Sequence, residues 1–281
     1  MSPDAGMRVA FERIVRRTGA RGRLCAVLDF DGTLVAFAPD PGGARLDGLA
    51  RLTLETLLDT RGVHVGILSS RGAADLARAV NLDGVELVAS NGLERVHLGA
   101  ALPLPGFVPP EPVLVEAVRD LVLRHPPARM EVKPAGLCVH VSRLTIAQRD
   151  DLARDLVRMS ASLGSGRVES GRWVRCRRCF EWMPAAAGKG RALRQLLRQW
   201  RHAPADIALY AGDDTNDIDA FEQVRAAGGL AISVGRRALP GTEFRVPSPG
   251  DLAEFLWRVA RQLRSAAFTG RRGLAHAREG D

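Results

Sequence analysis

Two carboxylates lie two residues apart in the segment Leu28–Leu34, directly after an apolar stretch that predicts a buried β-strand. Because residues i and i+2 of extended backbone point the same way, Asp29 and Asp31 are expected to face one spot at the carboxyl end of this strand. Two converging carboxylates repel each other unless a cation or a proton lies between them, and Mg²⁺ suits them because it binds oxygen ligands. Gly32 permits a sharp turn, and Thr33 offers a hydroxyl group and a backbone N–H to an anion. The segment therefore predicts a site that binds a metal ion and acts on an anion. The alternative interpretation is a strand end that carries two solvated acids.

The same segment resembles the first motif of the haloacid dehalogenase superfamily of phosphotransferases, which is written DxDGT. The resemblance implies that Asp29 attacks phosphorus and becomes an aspartyl-phosphate. It also implies that Asp31 protonates the leaving group and then activates water. The superfamily needs three more groups in a fixed order, so the rest of the chain tests the resemblance.

The chain contains all three groups in the expected order. Ser69 ends a second apolar stretch, and its hydroxyl can donate to a phosphoryl oxygen without adding charge. Lys189, one of only two lysines among 40 Lys and Arg residues, opens a helical pattern at a place that already favours anions. An acidic cluster follows a third apolar stretch at 207–212, and Asp214 could exchange roles with its neighbours there. The resemblance implies Mg²⁺ as the cofactor, with the ligands Asp29, Asp31, Asp213 and Asp217.

Further segments are similar to those of the trehalose-6-phosphate phosphatases, and the similarity spans roughly residues 24–260. These segments are residues 89–94, 130–143, 181–193 and 213–221. The similarity implies hydrolysis of a sugar phosphate, most directly trehalose 6-phosphate. The implied substrate contacts are Thr33, Ser70, Arg71, Asn91, Glu94, Glu131, Lys133, Arg143 and Glu181. Asn91 stands where the family has His and Ser70 where it has Gly, which leaves the identity of the disaccharide open, and His140 is expected to be a buried strand histidine.

The elements that must position these groups alternate between strand and helix in the first third of the chain. The helical patterns cover residues 7–17, 45–59 and 72–80. They alternate with apolar strands that end at Asp29, Ser69 and Ser90. Such alternation predicts an α/β fold with a doubly wound parallel sheet, whose ligand site lies at the carboxyl ends of the strands.

The pattern changes after a proline-rich linker at 102–110. The next block is typical of a small α+β domain with an antiparallel sheet. Its strands are predicted at 129–133, 137–143, 166–170 and 173–183, and a helix at 146–162. An insertion at this place resembles the type C2B cap of the superfamily, which can close over the site and exclude water. We therefore predict a core from residues 1–105 and 185–281, with a poorly ordered tail over about 265–281, and a cap from 106–184.

Hydrophobic residues make up 46% of the chain and charged residues 26%, which is ordinary for a soluble globular protein. No apolar run approaches the roughly 18 residues of a membrane span, and the N-terminus shows no signal-peptide pattern, so we expect a cytoplasmic protein without a membrane partner. The net charge of +8 raises nucleic acid as a partner, but the Arg residues are scattered and no nucleic-acid motif occurs. We therefore expect a small anionic partner, no nucleic acid, and a monomer.

Cys176 and Cys179 form a single CxxC pair among four cysteines. A structural zinc ion needs about four ligands, and the remaining Cys25 and Cys138 fall in separate apolar strands without metal spacing. If residues 174–182 form one strand, the CxxC pair also points to opposite faces of the sheet. The sequence therefore does not favour a zinc or redox site here.

The sequence leaves three other functions open. The first is hydrolysis of another (pseudo)disaccharide or glycosylglycerate phosphate. The second is a phosphomutase of the same fold, and the third is a silent sugar-phosphate-binding regulator. A silent relative has no need of both motif carboxylates, so the intact Asp29 and Asp31 favour catalysis.

Overall fold

A computed structural model of the protein describes residues 3–19, 22–37, 43–163 and 171–276. Its strands are β1 (Leu24–Asp29), β2 (Val63–Leu68), β3 (Glu86–Ala89), β4 (Glu94–His97), β5 (Ala100–Pro103), β6 (Arg129–Lys133), β7 (Gly136–His140), β8 (Gly171–Arg175), β9 (Cys179–Pro184), β10 (Ile207–Gly212), β11 (Leu230–Val234) and β12 (Phe244–Val246). Its helices are α1 (Pro3–Gly19), α2 (Gly48–Leu58), α3 (Ala73–Val80), α4 (Pro112–Leu123), α5 (Ile146–Ser162), α6 (Lys189–Gln199), α7 (Ile218–Ala226) and α8 (Pro249–His276).

The larger sheet has the strand order β12-β11-β10-β1-β2-β3-β4-β5, and its strands are parallel from β12 to β3. Alternate residues of β1 enter different hydrophobic cores. Leu24 and Leu28 pack in the layer that contains α1, α2 and α8, whereas Cys25 and Val27 pack against α6 and α7. Both faces of the sheet are thus covered by helices, as parallel sheets require. The predicted α/β fold with a doubly wound parallel sheet is confirmed.

Strands β4 and β5 form an antiparallel hairpin at the edge of this sheet, where the sequence predicted no strand pair. Leu98 and Gly99 connect them with φ of 49° and 78°, and positive φ at both residues is the geometry of a two-residue hairpin turn. A leucine rarely adopts positive φ, so the sequence carries little signal for this turn. The linker predicted from residue 102 therefore starts later, after Pro103.

The second sheet is antiparallel, in the order β6-β7-β9-β8, and α4 and α5 cover one of its faces. The prediction of a single strand at 173–183 is wrong, because the chain turns back between β8 and β9. The Cys176 N–H donates to the Cys179 carbonyl at 2.9 Å and closes this turn. The strand predicted at 166–170 lies outside the described residues. The cap boundaries at 106–184 stay a prediction.

Helix α8 continues through residues 265–276, where the sequence predicted a poorly ordered tail. The extent of the poorly ordered tail stays a prediction. Residues 277–281 lie outside the described residues. Among the helices in the described ranges, none is both long enough and apolar enough to cross a membrane.

Candidate active site

The predicted core groups meet at the carboxyl edge of the parallel sheet. Strand β1 lies between β2 and β10, so the residues that end or follow these three strands are neighbours. Asp29 ends β1, Ser69 follows β2 and Asp213 follows β10, and all three residues are buried. This edge is where doubly wound sheets bind their ligands.

Lys189 reaches this edge from the first position of α6. Its Nζ donates to Asp29 Oδ1 at 2.6 Å and to Asp217 Oδ1 at 2.7 Å, and only 2% of the residue is exposed. Burial opposes the positive charge, but the carboxylates of Asp217 and Asp29 outweigh it and raise the pKa of Lys189 overall. The side chain is therefore an ammonium that contacts the expected nucleophile.

Two close backbone contacts fix the start of α6. The Gly188 N–H donates to the Asn91 carbonyl at 2.8 Å. A Cβ on Gly190 would lie 2.5 Å from the Asp219 carbonyl oxygen, so a side chain does not fit there without movement. Gly190 therefore lets the helix start approach the first turn of α7, and the Gly188 N–H ties it to the turn after β3.

Asp217 organises the acidic loop with both of its carboxylate oxygens. Its Oδ1 accepts from Lys189 and, at 2.6 Å, from the Tyr210 hydroxyl. Its Oδ2 accepts from the backbone N–H groups of Asp213 and Asp214, each at 3.0 Å. Asp217 thus orients Lys189 and the loop after β10. Sequence analysis missed Tyr210, although it is the chain's only tyrosine and lies just before the acidic cluster.

Carboxylate oxygens of Asp29, Asp213 and Asp217 lie within 4.8 Å of one another. Burial raises the pKa of Asp213 to about 9 and that of Asp29 to about 7, and the charges of neighbouring carboxylates add to both shifts while Lys189 opposes them. Asp213 Oδ2 is buried and has no hydrogen-bond partner within the described ranges. An orphaned carboxylate oxygen beside further carboxylates fits a hard divalent cation such as Mg²⁺.

Asp31, predicted among the metal ligands, pairs with Arg71, and its role as a ligand stays a prediction. Its two oxygens accept from Arg71, at 2.6 Å from Nε and 2.7 Å from Nη2. A bidentate pair with guanidinium is strong and geometrically specific, and Arg71 also donates to Asp75 at 2.7 Å. Arg71, expected to bind substrate, therefore holds the predicted acid–base residue in place.

Two hydroxyl groups complete the predicted anion contacts of the core. Ser69 Oγ accepts the Arg71 N–H at 3.2 Å, and its own hydrogen remains available to an acceptor. Thr33 Oγ1 is buried and has no hydrogen-bond partner in the part of the chain that the structure describes. Both hydroxyls stay candidates to donate to a phosphoryl oxygen.

The cap meets the core through two residues predicted to bind sugar. Lys133 Nζ donates to Glu181 Oε1 at 2.9 Å and to Ser70 Oγ at 3.0 Å. The side-chain amide of Asn91 donates to the same Glu181 oxygen at 3.2 Å. Ser70 and Asn91 are two of the three departures from the family's pattern, the third being Asn216-Asp217 where the family has Thr-Asp, and these two contact the cap.

The remaining predicted contact residues do not join this network. Glu94 is buried and accepts from the Ser90 hydroxyl, so it supports the turn after β3. Glu131 Oε2 lies 2.8 Å from His140 Nε2, and this histidine is partly exposed instead of buried as the sequence predicts. Arg143 is exposed in the turn after β7.

A cavity of about 310 Å³ lies beside Lys189, between cap and core. Its lining includes Asn91 and Asp219 from the core and Arg172 from the cap. Asn91 Oδ1 and Asp219 Oδ1 are buried and, among the described residues, have no hydrogen-bond partner. Sequence analysis missed Arg172 and Asp219, and the one available signal was that Asp219 follows Asp217 by two positions.

Asp214 faces the cap instead of the carboxylate cluster. Its two oxygens accept the Arg177 N–H, which lies in the turn between β8 and β9, at 2.9 and 2.8 Å. The adjacent Arg178 guanidinium lies over the Phe37 ring, 4.4 Å from its centroid. This turn is a second contact between cap and core, and Asp214 does not share the position of Asp213.

A family model described as trehalose-phosphatase matches residues 27–243 of this chain. The trehalose-phosphate phosphatase of Mycobacterium marinum is 32% identical over 261 residues, which cover 86% of this chain and 62% of that protein. This chain thus spans less than two thirds of the length of that relative.

Solved structures of low sequence identity share the fold. The C-terminal domain of C. albicans trehalose-6-phosphate phosphatase gives a TM-score of 0.76 at 18% identity, over 89% of this chain and 96% of that chain. A haloacid dehalogenase-like hydrolase from Bacteroides thetaiotaomicron gives 0.57 at 18% identity, over 84% and 99%. The resemblance to the superfamily is therefore confirmed at the level of fold. Since the family model covers most of the sequence, from the strand before Asp29 to the start of β12, the chain belongs to the trehalose-phosphatase family.

Proposed function

We propose that this protein is a Mg²⁺-dependent phosphatase that hydrolyses a sugar phosphate, most directly trehalose 6-phosphate, through an aspartyl-phosphate. The observation that carries the proposal is the buried contact of Asp29 with Lys189 beside the unpaired oxygen of Asp213. Such a site combines a nucleophile, a fixed positive charge and a place for a cation, which are the needs of phosphoryl transfer.

The chain's oxygen donors suit Mg²⁺, with Asp29 and Asp213 as the side chains that would hold it. Asp29 uses Oδ1 for Lys189, and Asp213 Oδ2 has no partner within the described part of the chain. Asp217 is less suited, because both of its oxygens already accept hydrogen bonds. When bound, Mg²⁺ offsets the negative charge that the phosphoryl group brings to these carboxylates.

The first chemical step transfers the phosphoryl group to the enzyme. A carboxylate oxygen of Asp29 attacks phosphorus, the bond between phosphorus and the sugar oxygen breaks, and Asp31 gives its proton to that oxygen. In the second step Asp31 removes a proton from water, whose oxygen attacks phosphorus. The bond to Asp29 then breaks and phosphate leaves. Lys189 and Ser69 stabilise the charge on the phosphoryl oxygens in both steps.

The ion pair between Asp31 and Arg71 is compatible with only one of the two chemical steps. Both oxygens of Asp31 accept hydrogen bonds from Arg71, so in this geometry neither is free to give a proton to a leaving oxygen. To donate a proton in the first step, Asp31 must exchange Arg71 for the leaving oxygen. We therefore propose that Asp31 moves between the two partners during turnover.

The cavity beside Lys189 is the proposed place for the sugar. The orphaned oxygens of Asn91 and Asp219 can accept hydrogen bonds from sugar hydroxyls, and Arg172 can donate to them. Lys133 and Glu181 add donors and acceptors from the cap. Because Ser70 and Asn91, which depart from the family's pattern, contact these cap residues, another disaccharide phosphate is the second candidate substrate.

A phosphate-release screen with Mg²⁺ tests the function. The purified protein would be given trehalose 6-phosphate, sucrose 6-phosphate, a glucosylglycerate phosphate and glucose 6-phosphate, and kcat/KM compared. We expect trehalose 6-phosphate to exceed glucose 6-phosphate by at least about tenfold, because each extra buried hydrogen bond contributes about 1 kcal/mol. A higher value for another disaccharide phosphate would reassign the substrate. An isomeric product without phosphate release would indicate a mutase, and no reaction with any ester would refute catalysis.

A cytoplasmic location and a monomeric state stay predictions. Size-exclusion chromatography with light scattering checks the monomeric state, and we expect the mass of one 281-residue chain.

A further inference from the structure

The ring of Phe37 packs against the turn that follows β1. This turn closes on itself, because the Gly32 N–H donates to the Val35 carbonyl at 2.7 Å, and Phe37 comes two residues later. Gly32 has a φ of 85° and no side chain, and the space beside its Cα is filled from two sides. A Cβ there would lie 2.4 Å from Asp213 Oδ2 and 2.6 Å from Phe37 Cε2. The ring and the unpaired oxygen of Asp213 are therefore neighbours.

The same ring is also held by the cap. The Arg178 guanidinium lies over Phe37, 4.4 Å from the ring centroid, and the Arg177 guanidinium lies 5.8 Å from it. Both arginines belong to the turn between β8 and β9, whose Arg177 N–H donates to Asp214. A guanidinium over an aromatic face is attracted by the quadrupole of the ring. The cap turn thus contacts the acidic loop directly at Asp214 and reaches the adjacent Asp213 through the ring.

We propose that Phe37 is a positioning residue that couples docking of the cap turn to binding of the divalent cation. The inference rests on the proposed function, which places the cation at Asp29 and Asp213. When the turn is docked, the ring restricts the Asp213 side chain to a position close to the Asp29 carboxylate. When the turn is undocked, the ring loses its cationic partners. Asp213 must then be ordered by the metal itself, which costs binding free energy.

The coupling differs in sign from a simple charge effect. Arg178 is positively charged, so removal of its charge alone should strengthen the binding of a divalent cation nearby. Removal of a contact that positions Asp213 should weaken that binding instead. Because coupling between two sites is reciprocal, a bound cation would in turn favour the docked cap. The cap would then close preferentially over a site that is already loaded with metal.

Binding of Mn²⁺, measured by the electron paramagnetic resonance signal of the free ion, tests the coupling without turnover. Mn²⁺ takes the same oxygen ligands as Mg²⁺. Arg178→Ala should weaken binding about two- to fivefold, which corresponds to one exposed cation–π contact. Phe37→Leu should weaken binding at least as much, whereas Phe37→Tyr keeps the ring and should bind as the wild type does. In the Phe37→Leu background, Arg178→Ala should cause no further weakening.

Arg175→Ala is the matched control, and circular dichroism checks the folding of each variant. It removes the same charge from the same strand pair, but Arg175 pairs with Asp150 and lies over Phe180 within the cap. Its affinity for Mn²⁺ should equal that of the wild type or slightly exceed it.

The outcomes separate this coupling from the proposed function. Wild-type protein that binds Mn²⁺, together with an Arg178→Ala or Phe37→Leu variant that binds it equally or more tightly, would overturn the coupling and leave the proposed function intact. Equal weakening by Arg178→Ala in the wild-type and Phe37→Leu backgrounds would also overturn it, because the effect would not pass through the ring. Wild-type protein that binds no Mn²⁺ would overturn the metal site itself, and the coupling with it.

Discussion

At the scale of single residues, the main feature of the site is that several carboxylates are buried close together. Asp29 and Asp213 are buried beside one ammonium, and the raised pKa of each means that the metal-free site retains protons that the unfolded chain would release. Burial, helped by neighbouring carboxylates, raises the pKa of Asp213 from an ordinary 3.8 to about 9. A bound divalent cation removes the need for these protons.

The first prediction concerns pH and Mg²⁺. Between pH 3.8 and about 9 the folded state binds more protons at Asp213 than the unfolded state, so the free energy of unfolding falls as pH rises. In excess chelator, Tm should therefore fall from about pH 5 to about pH 9, and the gain in Tm from Mg²⁺ should grow over the same range. Asp213→Asn should remove this growth. A gain from Mg²⁺ that is equal at every pH would contradict the assignment.

The second prediction concerns Asp31. Asp31→Asn keeps the shape of the side chain but cannot carry the transferred proton, so kcat should fall about 10²- to 10⁴-fold with little change in KM. Asp83→Asn, an exposed Asp in the loop after α3, is the matched control and should leave kcat unchanged. Equal kcat values for Asp31→Asn and the wild type would rule out proton transfer by this residue.

Single residues also show which parts of the site could be predicted from the sequence. Asp29, Ser69 and Asp213 each end or follow an apolar strand, so their convergence could be predicted from strand order. Asp31 has the same strand signal, but its side chain pairs with Arg71, and no spacing rule reveals a competing partner 40 residues away.

At the scale of elements, helix α6 positions its lysine through the glycine that follows. The third prediction is that Gly190→Ala forces a shift, since the added Cβ would lie 2.5 Å from the Asp219 carbonyl oxygen. We expect a loss of about 1–3 kcal/mol in the free energy of unfolding and about 10²-fold in kcat. Gly48→Ala in α2 is the control, because nothing lies within 4 Å of its Cβ. Unchanged kcat in Gly190→Ala would show that the helix start does not set the position of Lys189.

The fourth prediction concerns the cap strand β6. Lys133→Ala removes a buried ammonium that bonds Glu181 and Ser70, so kcat/KM for the sugar phosphate should fall about 10- to 100-fold. Hydrolysis of p-nitrophenyl phosphate, which has no sugar for the cap to contact, should change less than about twofold. Arg119→Ala on the exposed face of α4 is the control. Equal losses on both substrates would place Lys133 in support of the core instead of sugar recognition.

Elements whose periodicity is strong were predicted well, whereas turns were not. The parallel strands are apolar on both faces and stand out in sequence. The hairpin of β4 and β5 depends on positive φ at Leu98, and the break between β8 and β9 depends on a turn closed by Cys176 and Cys179. The turn between β8 and β9 contains none of the Gly, Asn or Asp residues that usually signal one, and the turn between β4 and β5 has Gly only at its second position.

At the scale of the whole molecule, the two sheets meet at the acidic loop and at the turn that follows β2. Lys133 and Glu181 contact Ser70 and Asn91 on one side of the site, and the turn between β8 and β9 contacts Asp214 on the other. Asp29, Lys189 and the cavity lie at this junction. Substrate must therefore enter between surfaces that already contact each other, which makes cap opening part of the proposed cycle.

The most direct test of the account is the rate of phosphate release from trehalose 6-phosphate in Mg²⁺ by wild-type protein, Asp29→Asn and the control Asp83→Asn, with folding of each checked by circular dichroism. We predict turnover by the wild type and by Asp83→Asn, and none above background by Asp29→Asn, because the variant lacks the nucleophile. Phosphate release by folded Asp29→Asn at a rate near that of the wild type would contradict the aspartyl-phosphate mechanism and the function built on it.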